Sequence, residues 1–307
     1  MPLNDSIDNI HPIDAVISWV DGNDPVFKKK MATFLEGQCP SKIPGAHLTR
    51  FASINEIKYC VLSILTFAPF VRNIFIVTNG QDPNLYDDIN RYFPERKNCI
   101  RIVDHSEIFR DFEDFLPTFS SRAIESMTWR IKGLSDNFIY FNDDTFLIRN
   151  VEPTDWFINS RPVLRGRWLP RPIPRIIWDY ILILTNKWLL QKSAYHPRPS
   201  FHLGQWLAAK RLGFMFRYFV FSHTPHAINR KMSEDFASSN KAMLEKNISY
   251  RFRNHHQFNF VSLTYHLELL NGNRNIQKPC LAYIQPFNRS KNYIDKKIRF
   301  CESNHSI

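Results

Sequence analysis

Phe138-Ile-Tyr-Phe-Asn-Asp-Asp-Thr-Phe-Leu147 is the stretch that decides the fold. Phe138 to Phe141 is an unbroken apolar run, the pattern of a strand buried on both faces of a parallel sheet. It stops at Asn142, Asp143 and Asp144, and apolar character resumes in Phe146-Leu147-Ile148. Two adjacent carboxylates between buried segments are costly unless something offsets their charge. A divalent cation can do so, and carboxylate oxygens suit hard ions such as magnesium or manganese. The carboxyl ends of parallel strands are also where α/β proteins bind ligands. These residues alone leave a second reading open, an Asx-rich turn that caps whatever follows.

Working outward, Ile13-Asp-Ala-Val-Ile-Ser-Trp-Val20 reads as a first buried strand, followed at once by the turn Asp21-Gly22-Asn23-Asp24-Pro25. A second strand end thus carries acids. Asn73 to Thr78 and Ile100 to Val103 supply two more strands, ending in Asn79-Gly80 and Asp104-His105. Ser53-Ile-Asn-Glu56 has capping-box spacing, and Ile54, Ile57, Val61, Ile64, Leu65 and Ala68 keep helical period until Pro69. Ser120 or Ser121 is expected to cap a helix running to Ile131, closed by Gly133. Such an N-terminus with free hydroxyls can also hold a phosphate. Four short strands interleaved with helices predict a doubly wound parallel α/β sheet.

The chain has 307 residues, 44% of them hydrophobic and 14% aromatic, which describes a folding chain with a substantial core. Nine glycines argue against Gly-rich phosphate loops as the main device, while a net charge of +11 attracts polyanions without choosing among them. Cys39, Cys60, Cys99, Cys280 and Cys301 are odd in number, widely spaced and free of CxxC pairs, so a reduced, cytosolic setting is expected. Met1 to Ile10 lacks the apolar core of a signal peptide. Ile176 to Leu190, the most apolar stretch, is interrupted by Asp179, Asn186 and Lys187 and is too short and polar to span a bilayer.

Composition shifts after Ser160. Residues 161–175 are rich in proline, arginine and aromatics, as in an extended connector, and Ile176 to Leu190 reads as a helix suited to a core or a membrane interface. The last third is mostly helical, with helices expected over Leu203–Leu212, Lys231–Lys246 and His256–Leu270. His223 and His226 are three apart with Pro225 between them; a zinc site would need further ligands at motif spacing. With Arg251 and Arg253 they instead suggest a general base and a phosphate clamp. Acids at two strand ends and a basic second half fit a nucleotide diphosphate held through a divalent metal. Sugar transfer and phosphoryl transfer are not separated by these residues.

Taken together the motifs resemble the Stealth family. Ile13 to Pro25 is similar to its first conserved block. Arg50-Phe51, Asn55-Glu56, Asn73 to Gln81, His105, Leu116 to Ser121, Ala123-Ile-Glu125 and Phe138 to Asp144 are similar to its second. His223-Thr-Pro-His226 and Arg251-Phe-Arg253 are similar to its third; the fourth is reduced to Phe300-Cys-Glu-Ser-Asn304. The resemblance implies a hexose-1-phosphate transferase of capsule synthesis with a Rossmann-like, GT-A-like fold. It implies a UDP-N-acetylhexosamine donor, a capsular polysaccharide or oligosaccharide acceptor, a magnesium or manganese ion, release of UMP, and no nucleic-acid partner.

On that basis Asp143 and Asp144 are expected at the metal and pyrophosphate, with Asp144 the stronger ligand. Trp19, Asp21, Gly22, Asp24 and Asn142 are expected at the nucleotide-sugar, supported by Arg50 and Asn55. His226 or His223 is the candidate base, and Arg253 would hold the transferring phosphate. The expected organisation is an α/β nucleotide-sugar region over 1–160, a basic connector and helix over 161–200, and a helical acceptor-side region over 201–307. The expected location is cytoplasmic, with peripheral attachment to the inner face of the membrane. The alternatives are a conventional glycosyltransferase releasing UDP and a non-enzymatic binder of polyanions or membranes.

Overall fold

The computed structural model describes residues 11–35, 43, 45–47, 50–190, 195, 197–284 and 290–303. The N-terminal decapeptide, Cys39 and Asn304 lie outside them. Four strands, β1 (Ile13–Ser18), β2 (Val71–Thr78), β3 (Ile100–Asp104) and β4 (Asn137–Asn142), form a parallel sheet. A fifth, β5 (His226–Asn229), pairs antiparallel with β4, giving the order β5-β4-β1-β2-β3. The chain winds outward from β1 to β3 and then crosses back to the other side of β1. This is a Rossmann-like α/β sheet whose strand order reverses between β1 and β4.

Both faces of the sheet are covered, as apolar runs rather than alternating strands require. Ala15, Ile17, Ile74, Ile76, Ile139 and Phe141 point to one face, under α2 (Glu56–Phe67). Val16, Phe75, Val77, Phe138 and Tyr140 point to the other. There they meet α7 (Arg230–Ser239), α8 (Lys241–Ile248) and α9 (Phe260–Leu270) through Ala237, Leu244, Ile248, Val261, Tyr265 and Leu269. Each fully buried aliphatic or aromatic side chain in these layers contributes about 1.5–3 kcal/mol. The other α-helices of five or more residues among the described residues are α1 (Pro25–Thr33), α3 (Tyr86–Tyr92), α4 (Ser121–Glu125), α5 (Ile173–Leu184), α6 (Phe201–Arg211) and α10 (Tyr293–Ser303), with single helical turns at His105–Ile108 and Pro153–Trp156.

Several elements differ from expectation. The helix after Ser53 starts at Glu56, with Asn55 at its N-cap in the left-handed region at φ 72°. Glu56 still folds back, accepting from the Ile54 N–H at 2.7 Å and the Ser53 hydroxyl at 3.2 Å, so the motif makes a turn ahead of the helix. The helix expected from Ser120 to Ile131 ends at Glu125, and a 3-10 turn over Thr128–Arg130 follows. Asn240 divides the helix expected over Lys231–Lys246 into α7 and α8. The last third is not purely helical, because it supplies β5 and the strand Arg217–Val220, which pairs with Arg167–Pro170.

Asp14 in β1 is fully buried. Arg72 grips its carboxylate with two bonds of 3.0 and 2.7 Å, and the Asn73 and Ser135 N–H groups donate to it at 3.1 and 2.7 Å. The charge is compensated in full, and it ties β1, β2 and the approach to β4 together at the amino end of the sheet.

Candidate active site

A cavity of about 760 Å³ opens at the carboxyl ends of β1 and β4. The register pairs Ser18 with Asn142, so the chain segments leaving the two strands run side by side into its wall. This is the crevice where strand order reverses, where open α/β sheets bind ligands.

Part of the cavity wall is acidic. Asp143, Asp144 and Glu56 all line it. Burial, then the charges of Asp144 and Glu56, raise the Asp143 carboxyl to about 7. The same two aspartates, after burial, push the Cys60 thiol up from below. Carboxylates in such close company favour either protonation of one of them or a bound cation. Among the described residues no three His, Cys, Asp or Glu side chains gather closely enough to hold an ion alone. A hard cation such as magnesium could be held by these carboxylates only with further ligands from water or phosphate oxygens.

Another part of the wall is basic. Arg50 and Arg253 line it, and burial, then the charges of Arg253 and Arg198, hold the Arg50 guanidinium down to about 10. Arg253 donates to the Ser121 hydroxyl at the start of α4. Its segment is strapped onto the loop before α4: the Phe119 N–H donates to the Arg251 carbonyl at 2.7 Å, and Arg251 donates to the Pro117 carbonyl at 2.6 Å. Gly45 lies at φ +96° with its Cα against this strap; a Cβ there would sit 2.3 Å from the Arg253 carbonyl oxygen. Arg122 is buried beneath, donating to the carbonyls of Gln257 at 2.8 Å and Ser200 at 2.7 Å. Two motifs far apart in sequence thus form one basic wall.

His223 stands on the cavity wall, stacked on Phe201 at 4.2 Å and facing Tyr283 at 6.0 Å. Burial lowers its pKa, against the opposing pull of Asp144. A neutral imidazole with a carboxylate nearby can take up a proton. His226 is elsewhere. It sits on β5 with its side chain in the core, its Nδ1 3.1 Å from the Tyr265 hydroxyl, and does not line the cavity. Burial pushes it down to about 3, so it stays neutral through the ordinary pH range.

Of the remaining candidates, Trp19 and Asn142 line the cavity. The buried Trp19 indole N–H and the buried Thr224 hydroxyl there lack a hydrogen-bond partner, two groups suited to a polar ligand. Asp21, Gly22, Asp24 and Asn55 build the surrounding loops and are not on the wall. Asp24 caps α1, accepting from Gln81 Nε2 at 2.9 Å and from Val26 N–H at 2.7 Å, bonds that lower its pKa in that order. Asp21 accepts from Asn23 N–H at 2.8 Å and donates its own N–H to Gln81 Oε1 at 3.0 Å. Gly22 donates to the Phe51 carbonyl at 2.7 Å, where a Cβ would clash at 2.2 Å. Glu56, Phe201 and Tyr283 were not singled out from sequence as site residues; of these only Glu56 carried a signal, its place beside Arg50 in one motif.

The conserved regions 1 and 2 of Stealth proteins match residues 11–39 and 50–163. An exopolysaccharide phosphotransferase of Streptomyces coelicolor is 41% identical over 164 residues, covering 53% of this chain and 26% of that protein. The receptor polysaccharide phosphotransferase WefC of Streptococcus oralis is 30% identical over 287 residues, covering 89% and 82%. A capsular polysaccharide phosphotransferase of Actinobacillus pleuropneumoniae is 38% identical over 146 residues, covering 47% and 38%. The chain spans about a quarter to two fifths of the length of the Streptomyces and Actinobacillus relatives. Among solved structures, mouse xyloside xylosyltransferase 1 superposes loosely, with a TM-score of 0.40 at 11% identity over 94% of this chain and 93% of that one. With both conserved regions present and most of WefC's length matched, the chain belongs to the Stealth family.

Proposed function

We propose that the chain is a capsular polysaccharide phosphotransferase. It moves a hexose-1-phosphate, of the N-acetylhexosamine type, from a UDP-sugar to a sugar hydroxyl, forming a phosphodiester and releasing UMP. One observation carries this reading: a cavity at the sheet's switch point is lined both by the carboxylates Asp143, Asp144 and Glu56 and by the guanidinium groups of Arg50 and Arg253. A diphosphate bound with a cation would satisfy both sets of charges. The names of the relatives, which are polysaccharide phosphotransferases, support the same reaction class.

In this reading Asp144 and Asp143 hold a magnesium or manganese ion, which would neutralise charge on the diphosphate. Arg253 and Arg50 take the phosphate oxygens, Arg253 as the planar fork that suits two oxygens together. The acceptor hydroxyl attacks the β-phosphorus, the bond from that phosphorus to the bridging oxygen breaks, and UMP leaves with the electron pair. His223 accepts the hydroxyl proton. Trp19 and Thr224 offer their free donors to the nucleotide-sugar. Peripheral attachment to the inner face of the membrane belongs to the same reading. Among the described residues no helix is long and apolar enough to cross a bilayer.

The test is nucleotide release from UDP-N-acetylhexosamine with magnesium and a capsule oligosaccharide, comparing the wild type with Asp144→Asn. The expected product is UMP, dependent on the metal, and the variant should lose about 10²–10³-fold in turnover while keeping its fold. Near-normal turnover in a folded Asp144→Asn protein would remove Asp144 from the metal site.

A further inference from the structure

The chain's positive charge is not spread evenly. Residues 161–220 hold eleven Lys and Arg and a single acid, Asp179, so they carry a net +10 of the chain's +11. The same stretch contains α5, no residue of which is fully buried. The helix lies against the protein by one side, where Ile176 joins the cluster of Trp206, Tyr218 and Val220. Its other side is apolar and open: Ile173, Ile177, Tyr180, Ile181 and Leu184 are all exposed, and Trp188 in the π-helical turn that follows is 81% exposed. These positions fall three or four apart, on one stripe of the helix.

A second exposed apolar feature adjoins the start of this helix. The Arg171 N–H, just ahead of α5, donates to the Phe216 carbonyl at 2.8 Å, so the loop tip Met215-Phe216 lies beside it. Phe216 is 88% exposed. Around the helix and the tip stand the exposed cations Arg171, Arg175, Lys187, Lys210, Arg211 and Arg217. Asp179, the one acid, is half-buried, and burial raises its pKa.

From this we infer that α5 with its π-helical turn and the Met215-Phe216 tip form a docking surface for an anionic lipid bilayer. The helix lies in the headgroup plane, and the cations take lipid phosphates around it. An outward stripe of isoleucine, leucine and tryptophan inside a basic rim is the composition of an interfacial helix. Charge decides between occupants. A second copy docking by this face would bring the exposed cations Arg171, Arg175, Lys187, Lys210, Arg211 and Arg217 of both copies together, which repel. A nucleic-acid backbone would use the arginines but leave the aliphatic stripe without a partner. Docking by this face deepens the peripheral attachment proposed above by naming its surface and lipid, and its failure is distinguishable from a failure of the proposed chemistry because vesicle binding is read without turnover.

The experiment is co-sedimentation of the full chain with vesicles of phosphatidylcholine alone and of phosphatidylcholine mixed with phosphatidylglycerol. Binding is expected to the mixed vesicles only, with a blue shift of tryptophan emission, and to weaken as salt is raised. Ile177→Asp combined with Trp188→Asp should weaken it more than about tenfold. Both side chains face outward, so the thermal transition should not move. Arg171→Glu with Arg175→Glu should weaken binding by a similar factor, most strongly at low salt. The proposal is overturned if the chain ignores vesicle charge, if the variants bind as the wild type does, or if the wild type is a dimer that Ile177→Asp dissociates.

Discussion

Two histidines three residues apart have opposite fates, and each makes a prediction. His223 faces the cavity with its pKa lowered below the ordinary 6.5, so it is neutral and able to accept a proton at neutral pH. If it is the base, kcat/KM measured at saturating metal, where a bound cation would keep Asp143 ionised, falls about tenfold per unit below the folded pKa of His223, on the acid side of 6.5. His223→Gln should lose about 10²–10⁴-fold and abolish that acid limb, as a pH–rate profile would record. His226 is a stability matter. Neutral in the fold down to about 3 but protonated below 6.5 when unfolded, its contribution is intact above 6.5 and lost as pH falls towards 3. Denaturant melts should show the wild type losing about 1.4 kcal/mol more than His226→Gln between about pH 7.5 and 5.5. The sequence offered both histidines as the base because spacing does not say which way a side chain turns. The strand pairing of His226 with Tyr140 settles its place, and that pairing is non-local.

Elements were legible where one local pattern decides them. The four parallel strands lie within two residues of their expected places, because a buried apolar run with a polar stop is written in adjacent residues. The strap that sets Arg253 on the loop before α4 was not legible, since it joins residues more than a hundred apart through backbone carbonyls. Gly45 gives that strap a test. Gly45→Ala must strain a φ of +96° and push the Arg253 backbone aside, so it should cost about 1–3 kcal/mol in stability. It should also cost turnover through a misplaced guanidinium. Urea melts and steady-state rates on the same protein separate the two effects. At the opposite end of the sheet, Asp14→Ala leaves the bonds of Arg72, Asn73 and Ser135 without their acceptor. It should cost about 3–5 kcal/mol by equilibrium unfolding. Asp14 was read from sequence only as part of a strand, because a buried ion pair leaves no periodic trace.

At the scale of the whole molecule, the region beyond residue 200 is joined to the first 160 residues by a sheet edge and a shared core layer, with His223, Thr224 and Arg253 on the cavity wall. We propose that the division into a nucleotide-sugar region and an acceptor side is one of function within that body. The net charge is concentrated in residues 161–220, and the proposed lipid-docking surface draws on the exposed cations of that stretch. The central claim is that the sugar leaves the donor with its own phosphate. A UDP-N-acetylhexosamine donor labelled in the β-phosphorus, incubated with magnesium and a capsule oligosaccharide, follows that atom directly. The account predicts the label in the glycan as a phosphodiester, with unlabelled UMP released; label recovered in UDP, with none in the glycan, would contradict it.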